Sequence, residues 1–321
     1  MSDWSGRSGL AMPASPSAGH FDLAASLPAP VRGELGPLCA GLAFGVPAPG
    51  ERRAGDAVIG LADLDAHMPA MFDGVRRIVP GVEPRALMSQ WSKFYFRAVA
   101  PAALAITIVH GRRLTLDPAA CRIVLRGGLP VQLRFPIDSW IPPGAGTDEA
   151  QDAATLPPAF ERFASLIHVH LPAAIYAMHR ASGVSQRVLW SNAGNLLEFI
   201  VGEMRAVREM GEVGETGGRH HVPSLASRAA RDYEWLFEGD AGFGQTSDNP
   251  LYRTVRYVTP PSTAMPTPMR ARRVCCLRYQ LAGKGTKCDE ALLCGSCPLM
   301  LTMTPQQLQR QLAMQAGGAP Q

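Results

Sequence analysis

No apolar run in this 321-residue sequence is long enough to cross a bilayer: the longest, Ala98 to Val109, covers 12 residues and contains Pro101, against the roughly 20 that a spanning helix needs. A transmembrane segment is therefore not expected. Met1 to Leu10 holds Asp3 and a single cation, Arg7, with no apolar stretch behind it, so the pattern of a secretory leader is missing and a cytoplasmic location is expected. Dinucleotide fingerprints are missing as well. Gly242-Phe243-Gly244 lacks the third glycine of G-x-G-x-x-G, and neither G-x-S-x-G nor H-E-x-x-H occurs, so nicotinamide, flavin and hydrolase chemistry are without support. Lysine is scarce: Lys93, Lys284 and Lys287 are the only three among 31 cationic side chains, a compositional bias with no functional content of its own. What remains is a chain with 46% hydrophobic and 18% charged residues and a formal net charge of +4, the make-up of a soluble globular protein with enough apolar side chains for a core.

Residues 1–56 are rich in Pro, Ala, Gly and Ser and read as an irregular lead-in. From Ala57 to Ile78, Leu61, Leu64, Met68, Met71, Phe72 and Val75 recur at helical spacing, which predicts an amphipathic helix stopped by Pro80. A second helix is predicted over Pro84 to Val109, with Leu87, Trp91, Tyr95 and Val99 on one side and a kink or split at Pro101. Cys121 to Arg126 and Val131 to Phe135, joined through Gly127 to Pro130, predict a small antiparallel hairpin. Two long helical patterns, Ala159 to Ser182 and Ser185 to Val207, meet at Gly183. A loop over Gly211 to Gly218, a helix from a Ser224 cap to Phe237 and a short helix over Pro305 to Met314 complete the pass. The expected class is α+β. A mostly helical body over residues 57–258 carries a small antiparallel sheet, a Pro-rich linker covers 259–268, and residues 269–321 form a C-terminal cysteine module.

Seven cysteines, an odd number in an expectedly reducing compartment, do not suggest a disulfide framework. Cys39 and Cys121 stand alone, whereas Cys275, Cys276, Cys288, Cys294 and Cys297 crowd into 23 consecutive residues, and such crowding points to a metal. Setting Cys288 aside, the spacing is C-C-x17-C-x2-C. The C-x2-C end is a common metal knuckle, because two intervening residues let both thiolates face one ion. The tandem pair is rarer. Adjacent side chains in an extended strand point to opposite faces, so both sulfurs reach one site only if the backbone bends near Cys275 or Cys276. Four thiolates suit either a structural zinc or a [2Fe-2S] cluster, and spacing leaves both open.

The stretch Arg273-Val274-Cys275-Cys276-Leu277-Arg278-Tyr279-Gln280-Leu281 and the closing Cys294-Gly295-Ser296-Cys297-Pro298-Leu299 resemble the C-terminal signature of the FhuF-like siderophore-iron reductases, or ferric hydroxamate reductases. Weaker similarity runs through Gln90-Trp91-Ser92-Lys93, Leu189-Trp190-Ser191-Asn192 and Asn249-Pro250-Leu251. The resemblance implies a C-terminal module with a [2Fe-2S] cluster on Cys275, Cys276, Cys294 and Cys297. It also implies a ferric siderophore, of the hydroxamate type, reduced by one electron. In the family pattern about ten residues separate the two cysteine pairs. Here the gap is 17 and contains Cys288 after 11, so Gly283 to Leu293 reads as a loop insertion and Cys288 as a substitute candidate for a ligand position. No catalytic residue beyond the cluster ligands is implied. The missing nucleotide fingerprint leaves the electron to a separate donor protein, such as a ferredoxin.

From Leu251 onward nine Lys and Arg stand against Asp289 and Glu290, a local net charge of +7 in a chain of +4. That charge suits an acidic donor or an anionic chelate, or equally offsets the cluster's own negative charge. Few aromatics interleave with these arginines, so nucleic acid is not an expected partner; the alternative class is a zinc-stapled binding module. Contact with the inner face of the membrane is left open by the sequence. His168 and His170 sit about 200° apart if helical and cannot ligate together, and His220 and His221 fall in a Gly-rich loop, so all four are read as surface or core histidines. Trp190 and Asn192 are candidates to line a substrate surface, while Trp91, Tyr95 and Val99 read as packing.

Overall fold

The segment Ala29–Cys39 is helical (α1): Pro30 falls in the first turn, where a missing N–H costs nothing, and the helix runs on through Pro37. Val31, Leu35 and Cys39 on it, and Leu27 just before it, are buried, so part of the expected lead-in belongs to the core. The structure, a computed structural model, describes residues 23–45, 52–140, 156–206, 225–283 and 285–316. After β1 (Leu42–Phe44) comes β2 (Ala57–Ile59), where a helix was expected from Ala57. The β-branched Val58 and Ile59 extend, and Gly60 ends the strand before the helical periodicity starts in α2 (Leu64–Arg76).

Helix α3 (Pro84–Leu104) runs through Pro101 and closes in a π-helical turn, Ala105–Val109, with the amide of His110 bonded to the carbonyl of Ala105. Length and composition would let Pro84–Val109 cross a membrane, yet 78% of its most apolar window is buried inside the protein, as in a core helix. Strands β3 (Arg122–Arg126) and β4 (Leu129–Phe135) form the expected hairpin around Gly127 and Gly128, both at positive φ, the arrangement a two-residue hairpin turn requires. The sheet is larger and mixed. Its order is β1-β4-β3-β2, with β1 parallel to β4 and the other pairs antiparallel.

Helix α4 (Ala159–Ala164), a π-helical turn over Ser165–His170 and α5 (Leu171–Ser182) form one continuous rod that Gly183 ends in the left-handed conformation. Helix α6 (Gln186–Ala206) then crosses α3, and α7 (Leu225–Tyr233) follows with its own π-helical turn, Glu234–Glu238. The expected loop over Gly211 to Gly218, the Ser224 cap and His220 and His221 lie outside the described residues.

Strands β5 (Val255–Val258) and β6 (Met269–Arg272) pair antiparallel, so the Pro-rich segment 259–268 connects two paired strands. A Cβ on Gly194 would come within 2.5 Å of Thr254 Oγ1, so only glycine lets α6 lie this close to the entrance of β5. Beyond β6 the chain has little regular structure until α8 (Pro305–Ala316). Met265, Met269, Ala271, Leu293, Cys297, Met300 and Leu308 form a second, small core there. The fold is α+β.

Candidate redox site beside the cysteine pairs

Backbone geometry brings the cysteines together. Strand β6 ends at Arg272, and Leu277 adopts the left-handed conformation at φ 59° and ψ 14° directly after the tandem pair, the local bend that two adjacent ligands require. On the other side the Cys297 amide bonds to the Cys294 carbonyl at 3.0 Å, closing the C-x2-C turn, and the Arg272 amide donates to the Ser296 carbonyl at 2.9 Å. The result is two crosswise pairs. Cys275 Sγ lies 3.9 Å from Cys297 Sγ, and Cys276 Sγ lies 3.8 Å from Cys294 Sγ, so each pair takes one sulfur from each motif. Among the described residues, no three His, Cys, Asp or Glu side chains converge on a single ion position.

Cys288 belongs to neither pair. Its carbonyl accepts a hydrogen bond from Gln311 Nε2 at 3.3 Å; the same amide donates to Ala291 O at 2.8 Å, and Gln307 Nε2 reaches Asp289 at 3.0 Å. Helix α8 therefore holds the insertion through Gln307 and the buried Gln311.

The body supplies the rest of the site from α3 and α6. Ser89 Oγ and Gln90 Nε2 both donate to the Cys276 carbonyl, at 2.8 and 3.0 Å, and Ser191 Oγ donates to the Val274 carbonyl at 3.0 Å. Lys93 Nζ sits 3.3 Å from Cys276 Sγ and 2.7 Å from Gln90 Oε1. Arg272 is buried at 2% exposure and donates through Nη2 to Asn192 Oδ1. The amide of Asn192 in turn reaches Ser89 and Ser92. Arg272 Nε is buried with no hydrogen-bond partner. A little further along, Arg270 grips the buried Glu198, whose other oxygen accepts from Tyr233 and Tyr257.

Hydrogen bonds to Cys275 and Cys294 hold the Cys276 thiol well below the ordinary thiol range against the effect of burial, and Lys93 and Arg272 add to the shift. The other three move up. Its hydrogen bond with Cys276 pushes Cys275 up to about 12, the bond with Cys276 also raises Cys294, and bonds with Cys275 and Cys294 raise Cys297. Lys93 and Arg272 thus favour the thiolate at Cys276, while the close packing of the sulfurs opposes charge on the other three.

The structure unites Cys275, Cys276, Cys294 and Cys297 and leaves Cys288 apart. Asn192, expected at a substrate surface, is 3% exposed and works inside the seam, because its amide is the acceptor for Arg272; Trp190 is half-buried against the main core. Trp91, Tyr95 and Val99 are core residues. His168 Nε2 meets the Ala241 carbonyl at 2.9 Å, while the buried His170 Nε2 meets Tyr95 Oη at 2.8 Å, so the two face different partners. Sequence reasoning assigned no role to Ser89, Gln90, Lys93 or Arg272. A usable signal was present: Ser89, Gln90 and Ser92 interrupt an otherwise apolar buried helix.

A ferric-iron reductase is the class to which these features attach. A family model described as ferric iron reductase FhuF-like transporter matches residues 89–260, more than half of the chain, and the chain belongs to that family. The match opens on Ser89, covers most of α3 and all of α6 and β5, and ends before Cys275. The chain is also similar to the ferric siderophore reductase of Escherichia coli (strain K12), with 23% identity over 218 residues, 68% of this chain and 67% of that protein.

Proposed function

We propose that this protein is a cytoplasmic siderophore-iron reductase that delivers one electron to a ferric siderophore, of the hydroxamate type, and so releases Fe(II). A [2Fe-2S] cluster held by Cys275, Cys276, Cys294 and Cys297 would supply a centre that gains and loses one electron at a time. The carrying observation is the spacing of the sulfurs. Two thiolates on one tetrahedral metal, with metal–sulfur bonds of about 2.3 Å, stand roughly 3.8 Å apart, and both pairs, at 3.8 and 3.9 Å, have that edge length. The match to a ferric iron reductase family favours iron over zinc at these sulfurs.

The chain's own groups fit a negatively charged occupant. The Lys93 ammonium and the buried Arg272 guanidinium, with its unpartnered Nε, place two cations beside Cys276. Cys276 and Cys297 are each 1% exposed, Cys297 within the second, small core, while Cys275 is half-buried. One electron on Fe(III) of the chelate gives Fe(II), which hydroxamates hold far more weakly; no protein acid or base is needed. The electron comes from a separate donor such as a ferredoxin. The test is a single turnover: protein reduced under anaerobic conditions is mixed with a ferric trihydroxamate and a ferrous-specific trap. Fe(II) appearing in step with reoxidation of the protein supports the reading, and reoxidation without Fe(II), or no reaction, overturns it.

A further inference from the structure

A surface cavity of about 510 Å³ opens beside the start of α6, and Cys275 forms part of its wall. Val188, Val274 and Leu299 give it an apolar floor, while Arg187 and Arg273 bring two exposed guanidinium groups to it from different parts of the chain. We propose that this cavity is the seat of the ferric chelate, and that Arg187 and Arg273 select chelates bearing a carboxylate on an arm. The inference rests on the reductase reading above and adds the binding site and the preferred substrate charge.

Three features converge here. Cys275, a member of the quartet, lines this surface, and outer-sphere transfer needs the acceptor iron close to a ligand. The cavity's volume of about 510 Å³ falls in the small-molecule range. A ferric tris-hydroxamate core is itself neutral, so the charge that discriminates one such chelate from another sits on its arms. Arginine reads a carboxylate with two parallel hydrogen bonds, and two arginines at one mouth leave an ammonium arm unfavoured. Arg253 pairs with Glu238 and Arg270 with Glu198, and Arg273 donates only Nη1, to the Tyr252 carbonyl at 3.4 Å, which leaves its Nε and Nη2 for a carboxylate.

Gallium(III) complexes of two linear trihydroxamates, one ending in a carboxylate and one in an ammonium, give the test, because gallium keeps the chelate geometry and accepts no electron. Binding to the metal-loaded full chain is measured by calorimetry for wild type, for Arg187→Glu/Arg273→Glu and for Arg187→Lys/Arg273→Lys. The carboxylate chelate should bind wild type about tenfold tighter than the ammonium chelate, the Glu pair should reverse that order, and the Lys pair should keep a reduced preference. Visible absorbance of each variant checks that the cysteine site is intact. Equal affinities in wild type, or a Glu pair within twofold of wild type for the carboxylate chelate, would overturn the proposal. So would a Glu pair that binds both chelates normally but accepts electrons slowly from its donor, which would make the cavity a donor surface. The reductase reading fails separately, if the ferric forms of the same chelates bind with this preference and are not reduced.

Discussion

The two cores of this protein are built on opposite principles. The main core packs large apolar side chains from long helices and a mixed sheet, with Trp91, Tyr95, Phe96, Phe163 and Phe237 all fully buried. The cysteine lobe closes over a handful of Met, Leu and Cys side chains, and most of its chain is turn or 3-10 helix. So small an apolar core gives little stability of its own, and lobes of this size generally need a metal or a larger neighbour. This lobe has the larger neighbour. Polar bonds from α3 and α6 to the Val274 and Cys276 carbonyls fix it to the body, and on the proposed reading a metal held by the four sulfurs would add to them. The main core is extensive, and the lobe depends on what it touches.

Removing a sulfur should separate the two regions most sharply. Serine at Cys275, Cys276, Cys294 or Cys297 is expected to abolish bound iron and visible absorption while leaving the helical circular dichroism of the body, and Cys288→Ser should keep both. Loss of colour in the Cys288 variant alone would reassign the ligand set. Next comes the seam. Asn192→Ala leaves the buried Arg272 only the longer contact to Ser191 Oγ at 3.4 Å and should cost about 3 kcal/mol, read as a lower denaturation midpoint. A midpoint unchanged within error would mean that the seam holds the lobe without Arg272.

The body has a pH dependence of its own. Burial against Tyr95 and Phe135 pulls His170 from its ordinary 6.5 down to about 4. The unfolded chain therefore takes up this proton first as pH falls. The contribution of His170 is complete above pH 6.5 and is lost as pH drops to about 4, a total of roughly 3 kcal/mol. The neighbouring Cys121, raised to about 12, stays neutral throughout that window. Thermal melts of wild type and His170→Phe between pH 7 and about 4 check it; parallel curves for the two proteins would contradict the assignment. The mildest change is expected from Lys93→Gln. It removes a cation 3.3 Å from Cys276 Sγ and should move the midpoint potential to more negative values by tens of millivolts, with stability nearly unchanged.

The same contrast explains what could be read from the sequence. Long helices of the body announced themselves by apolar spacing, and the hairpin by its Gly127-Gly128 turn. Helix α1 was hidden by Pro30, which the first turn tolerates, and by Pro37, through which the helix runs, and β2 by helical periodicity that begins just after Gly60. The four cysteines were legible because the C-x2-C spacing is local chemistry. Their crosswise pairing was not, since Cys275 meets Cys297 and Cys276 meets Cys294 only after the insertion has folded back onto α8. The seam was least legible of all. Ser89 and Gln90 are 187 and 186 residues from Cys276 along the chain, and no pattern within a helix reveals which distant carbonyl its polar groups will meet.

Anaerobic purification followed by joint determination of iron, zinc and acid-labile sulfide, with an electron paramagnetic resonance spectrum after one-electron reduction, tests the central claim most directly. The account predicts two irons and two sulfides for each chain and a rhombic signal that the Cys294→Ser variant lacks. One zinc for each chain, with no labile sulfide and no signal, would contradict it.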